Sequence, residues 1–131
     1  MNQRFFLFIV ISLLLLPLAD AFSQKEVFLR KIDFELEKIS PNSVENEYYM
    51  TLEFNKGSKY KFKVLNHING KVGLATLELH DGDKIVGVNS IGDKYFDQMM
   101  FQCSKTGFYD LLIRFKDHQL GCSTINVYLV Q

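Results

Sequence analysis

The chain has 131 residues, in which 15 basic residues balance 15 acidic ones, and it contains no tryptophan. A neutral balance gives no electrostatic footprint for nucleic acid or for an anionic membrane surface, so neither is expected as a partner. The length suits one domain with its own core.

The opening residues, MNQRFFLFIVISLLLLPLADAFSQ, have the three-part layout of a secretory signal peptide. Arg4 gives a positive start, residues 5–19 are uncharged, and the small residues Ala19 and Ala21 suit a cleavage site after residue 21. Ala21-Phe22-Ser23 also fits, with the cut after residue 23. The apolar run is interrupted by Pro17 and falls short of the ~20 residues that span hydrocarbon as a helix. The expectation is a leader over residues 1–21 and a single exported domain over 22–131, periplasmic or secreted, with no stable membrane insertion.

Residues 26–39, EVFLRKIDFELEKI, fit two periods. Ile32, Phe34 and Leu36 alternate with charges as in a strand, whereas Phe28, Ile32, Leu36 and Ile39 would share a helix face. A strand is favoured because everything downstream reads as β. SPNSVENE is a polar loop. In YYMTLEF, Met50, Leu52 and Phe54 share a face; NKGSK is a turn; KYKFKVL sets Tyr60, Phe62 and Val64 against Lys59, Lys61 and Lys63. These two runs predict a hairpin with one buried side. NHING is the next turn, and Ala75, Leu77 and Leu79 then face inward. Asp81-Gly82 suits the positive φ of a tight hairpin turn leading into KIVGVN, and IGDK is a loop. Met99, Phe101 and Cys103 share a face, as do Tyr109, Leu111, Ile113 and Phe115, and finally Ile125, Val127 and Leu129.

Seven or eight short strands in one domain predict an all-β, antiparallel two-sheet sandwich of jelly-roll or Ig-like type. KTGFYDLLIRF adds a topological signal. A glycine two residues before a tyrosine that opens an apolar strand is the local pattern of a tyrosine corner, where the chain crosses between sheets. An ordinary turn at Thr106-Gly107 is the alternative.

The strands YKFKV and LATLELHDGDKIVGVN, then FQCSKTGFYDLLIRF and a closing strand, resemble the bacterial pre-peptidase C-terminal domains and the Golgi-dynamics type of sandwich over residues 60–130. The resemblance implies a jelly-roll-like fold and an accessory or binding role. It carries no catalytic signature, and here the domain is expected to follow a leader and not a protease.

Catalytic chemistry is not expected. A cysteine nucleophile needs a base, yet His67 and His118 fall in turns and His80 ends a strand beside DGD. There is no G-x-S-x-G elbow. The cysteines stand alone without a CxxC or HxxxH partner, and HDGDK lacks the remaining acids of a calcium loop. No catalytic, metal or cofactor-binding residue is therefore assigned, and no cofactor is expected. A sugar platform would rely on exposed aromatics, for which strand parity offers Tyr49 and Tyr128. The two cysteines, Cys103 and Cys122, are expected to form a disulfide in an oxidising compartment, although Cys122 has the parity opposite to the core residues of its strand. The functional expectation is a non-enzymatic exported module that binds a protein or glycan of the envelope or exterior. A carbohydrate or small-molecule binder is the alternative.

Overall fold

The computed structural model describes residues 24–66 and 73–131. The expected leader and its cleavage site, and His67 in the NHING turn, lie outside the described residues. Ten strands are present among those described: β1 (Glu26–Leu36), β2 (Tyr48–Phe54), β3 (Lys59–Leu65), β4 (Ala75–Asp81), β5 (Lys84–Val88), β6 (Ser90–Ile91), β7 (Lys94–Tyr95), β8 (Gln98–Gln102), β9 (Gly107–Phe115) and β10 (Gly121–Val130). Residues 26–36 are thus strand, and the charges at every second position explain why: only one side of the run can enter a core.

Two four-stranded antiparallel sheets pack face to face, one in the order β1-β10-β3-β8 and the other β2-β9-β4-β5, with β6 and β7 as a small hairpin. The protein is an all-β sandwich. The core lies between the sheets and is built from the alternating residues of each strand. Ile32, Phe34 and Leu36 enter from β1, Phe62 and Val64 from β3, Leu77 and Leu79 from β4, Leu111 and Ile113 from β9, and Ile125 and Val127 from β10.

The expected β2–β3 hairpin does not form. β2 pairs with β9 (Leu52 opposite Tyr109), while β3 pairs with β10 and β8 (Phe62 opposite Val127 and Met99). The two strands face each other across the core, where Phe54 packs on Tyr60 with ring centroids 4.3 Å apart. Alternation records which side of a strand is buried and is satisfied equally by pairing within a sheet or by stacking between sheets. The β4–β5 hairpin is as the Asp81-Gly82 signal indicates, with Gly82 at φ +59 and Asp81 opposite Lys84.

The β8–β9 connection is a tyrosine corner. The chain leaves one sheet after Gln102 and enters the other at Gly107, and the Tyr109 hydroxyl donates to the carbonyl of Lys105 within the crossing. At the opposite end of the sandwich, Phe115 stacks on Phe34 (4.9 Å) and is held against the backbone of Gly121, where a Cβ would enter the Phe115 ring.

Three substitutions test this arrangement by urea unfolding. Leu111→Ala removes a fully buried side chain from the central strand of its sheet and should cost ~2–5 kcal/mol. Gly121→Ala forces a methyl group into the Phe115 ring and should cost ~1–3 kcal/mol. Lys63→Ala, on the solvent side of β3, should cost less than ~0.5 kcal/mol. Equal losses at 111 and 63 would contradict the assignment of faces.

Candidate functional site

The expected disulfide does not form: Cys103 and Cys122 are both free. The register of β3 explains it. Cys103 donates its N–H to Ser58 O (2.9 Å) at the start of β3, whereas Thr124, two residues past Cys122, lies opposite Leu65 at the far end. At ~3.4 Å per residue the two cysteines stand about 30 Å apart along the sheet, against the ~7 Å limit between Cα atoms for a bridge. They also point to opposite sides: Cys103 is buried in the core, and Cys122 has the outward parity already evident in the sequence.

Cys103 serves the corner instead. Its thiol donates to Lys105 O (3.2 Å) and lies 3.6 Å from the Tyr109 hydroxyl. The hydrogen bond with Cys103 first, burial second, and then the electrostatic influence of Cys103 and Asp81 push the Tyr109 phenol up to about 12 from its ordinary 10.0. His80 stands on the outer face of the other sheet, so no Cys103–His80 arrangement exists. Among the described residues no group of three or more His, Cys, Asp or Glu could hold a metal ion.

The two candidate aromatics lie on opposite outer faces and make no common platform. Tyr128, on β10, is half-covered by Phe28 (edge-on, 5.8 Å) and by Lys61, whose Nζ sits 5.7 Å from its ring centre. Tyr49, on β2, is 58% exposed. It belongs to the solvent side of the β2-β9-β4-β5 sheet, which has more on it than the sequence reading found. Register sets Tyr49, Leu112, Glu78 and Val88 in one row and Thr51, Asp110, His80 and Ile85 in the next. Phe108 follows at the start of β9 and is 70% exposed. Its position opposite in parity to the buried Tyr109 was the signal for it.

Between these apolar side chains run a connected network of four residues and, beside it, a separate hydrogen-bonded pair. Arg114 bridges Glu47 (3.2 Å) and Glu78 (3.0 Å), Glu78 meets His80 Nε2 at 3.1 Å, and the Thr51 hydroxyl donates to Asp110 (2.8 Å). Leu112 is buried although it points away from the core, so this face is packed and not bare.

The face continues into a cleft of about 280 Å³ lined by Thr76, Glu78, Arg114, Tyr95, Lys116 and His118. Two devices build it. Asn89 is buried and acts as a substitute strand: its Oδ1 accepts from Leu77 N–H (2.8 Å) and its Nδ2 donates to Ala75 O (3.0 Å) and Phe96 O (3.3 Å), fixing the β6–β7 hairpin as one wall. The other wall is the 116–118 turn, where Asp117 (φ 55) and His118 (φ 53) are consecutive non-glycine residues in the left-handed region, a conformation that favours Asn, Asp and His among non-glycine types. Lys116 Nζ lies 4.6 Å from the Tyr95 ring centre and joins the two walls.

Comparison with known proteins supplies no relative: no family model matches the chain, and neither does a curated protein or a solved structure. Fold and site together define a class, an antiparallel β-sandwich with one outer sheet face carrying exposed apolar groups around a fixed charge network.

The raised Tyr109 phenol gives a pH signature. A group whose pKa is higher in the folded state than its unfolded value of 10.0 contributes stability that is complete below pH 10 and is lost as pH rises through about 12. The stability difference between the wild type and Tyr109→Phe, followed by chemical denaturation, should therefore shrink from pH 9 to pH 12. The other tyrosines are common to both proteins and cancel in that difference. A difference that stays constant would mean that the phenol is not held protonated by the fold.

Proposed function

We propose that the protein is an exported, non-enzymatic β-sandwich module that binds another macromolecule of the envelope or exterior through the outer face of the β2-β9-β4-β5 sheet. One observation carries the reading: Tyr49, Phe108, Ile85 and Val88 all stand exposed on that face around the Arg114–Glu78–His80 network. Apolar side chains gathered on one solvent face, with fixed polar groups between them, are what a recognition surface offers: area to desolvate and oriented charges to select. The accessory role implied by the resemblance to pre-peptidase C-terminal domains points the same way. Export rests on the leader-like residues 1–21.

A carbohydrate or small-molecule ligand is the second reading, favoured by the neighbouring cleft with its hydroxyls and the Tyr95 ring. The two separate by mutation. Macromolecular binding depends on Tyr49 and Phe108, whereas a cleft ligand depends on Tyr95 and Lys116.

A photo-crosslinking residue at position 108 should yield an adduct with one component of an envelope extract, and the same residue at position 63 on the opposite sheet should not. Tyr49→Ala should lower capture at least about tenfold. Equal adducts from both positions, or none from 108, would remove this face from the proposal.

Export has its own measurement. The full chain made in a secreting bacterial host should lose residues 1–21 or 1–23, read by intact mass, and appear in a soluble fraction. Retention of the whole chain in the membrane would contradict the export reading and leave the binding face to be judged separately.

A further inference from the structure

The edge of the other sheet presents a second surface. Among the described residues β1 has β10 as its one neighbour. Lys25 and Gln131 exchange both backbone bonds (3.2 and 2.8 Å), so the groups of Lys25 point toward β10 and those of the next residue, Glu26, point away. Following the register, with its shift between Phe28 and Arg30, the residues of this stretch whose backbone groups point away from β10 are Glu26, Phe28, Lys31 and Asp33. An open row of this length is a template for another strand. Beside it Val27, Phe28 and Leu29 are exposed in succession, Phe28 at 55%.

We infer that β1 pairs with β1 of a second copy of this chain, antiparallel about a two-fold axis at Phe28. Three observations select a second copy as the occupant. In the register centred on Phe28, the next outward residues are Glu26 on one side and Lys31 on the other, so each Glu26 faces the Lys31 of its partner and the opposite charges match twice. Each match extends an ion pair already present: Lys61–Glu26 (2.8 Å) on one copy meets Lys31–Asp33 (3.7 Å) on the other, giving a row of alternating sign. The Phe28 rings of the two copies meet at the axis, each flanked by the Tyr128 ring of its own copy (5.8 Å), and form a continuous aromatic row on the outer face. Net charge is zero, so nothing long-range opposes the approach of two copies.

The bulge is part of the fit. A bulge on an edge ordinarily discourages pairing. Here it inserts one residue after Phe28, so that Lys31 and not Arg30 takes the outward position opposite Glu26. Pairing joins the two four-stranded sheets into one of eight strands and leaves the outer face of the other sheet free on both copies.

Sedimentation of the purified protein over a concentration series should show a monomer–dimer equilibrium. Phe28→Lys and Lys31→Glu, both on exposed side chains, should each weaken it at least about tenfold while leaving the thermal midpoint of the monomer in place. A second measurement locates the axis. In a Cys122→Ser background, Phe28→Cys should form an intermolecular disulfide under mild oxidation, since directly paired residues place Cα atoms about 5.5 Å apart. A wild type that is monomeric at every concentration overturns the inference. So does a dimer indifferent to both charge-altering substitutions, or one in which the thiols introduced by Phe28→Cys remain unlinked, because the contact then lies elsewhere.

Discussion

A chain that passes repeatedly from one sheet to the other must satisfy its backbone at each crossing without a ladder, and side-chain hydrogen bonds meet much of that need in this sandwich. At the β8–β9 crossing the Tyr109 hydroxyl and the Cys103 thiol both donate to Lys105 O. At β2–β3 the Tyr60 hydroxyl accepts from Asn55 N–H (3.0 Å), and Thr106 accepts from Lys56 N–H (2.8 Å), which ties that crossing to the corner beside it. Between β1 and β2 the buried Asn46 amide holds Ser40 through both its oxygen and its nitrogen, and between β5 and β8 Asn89 does the same for β4. Amides and phenols suit these places because one end reaches a backbone group while the rest of the side chain tolerates burial. No buried side-chain nitrogen or oxygen among the described residues lacks a partner.

Face parity was legible because each strand has one dry side. Phe62, Leu77, Leu111, Ile113 and Val127 were all readable as core, and the corner was visible in Gly107 and Tyr109. Partnership between strands was legible only where a tight turn declared it, as Asp81-Gly82 does for β4 and β5. β2 and β3 are consecutive and have matching stripes, but they sit in different sheets, and nothing in a period of two distinguishes a neighbour in the plane from one across the core. The cysteine pairing failed for a related reason. It depends on position along the strand, which is set by the β3 register with β8 and β10 and is invisible in either cysteine's surroundings. Buried Asn46 and Asn89 were also hidden, since in sequence Asn46 reads as an ordinary loop residue and Asn89 as the end of the short strand KIVGVN.

The candidate site shows the same division. Tyr49 could be placed outside from parity, and Phe108 could have been by the same reasoning. Glu47, Glu78 and Arg114 could not be connected, because they come from the start of β2, from β4 and from β9, which are far apart in sequence and meet only through the pairing of β9 with its two neighbours; the Glu78–His80 contact alone is local, two residues apart on one face of β4. The central strand thus supports two different surfaces: Leu111 and Ile113 fill the core, while Phe108, Asp110 and Arg114 form the spine of the outer face. Tyr128 took the opposite course. Its outward parity was correct, but Phe28, arriving from the far end of the chain, covers it.

Phe115 lies against two glycines. A Cβ on Gly121 would enter its ring, and one on Gly73 would meet both the ring and the Leu120 carbonyl. Such contacts make substitutions depend on their order. While an aromatic ring occupies position 115, positions 73 and 121 are closed to every other residue type, even though neither glycine has a positive φ to require it. A smaller side chain at 115 would open position 121 but leave position 73 still closed by the Leu120 backbone. Among descendants of this chain, alanine at 121 should therefore be found only where 115 has already shrunk, and glycine at 73 should outlast both.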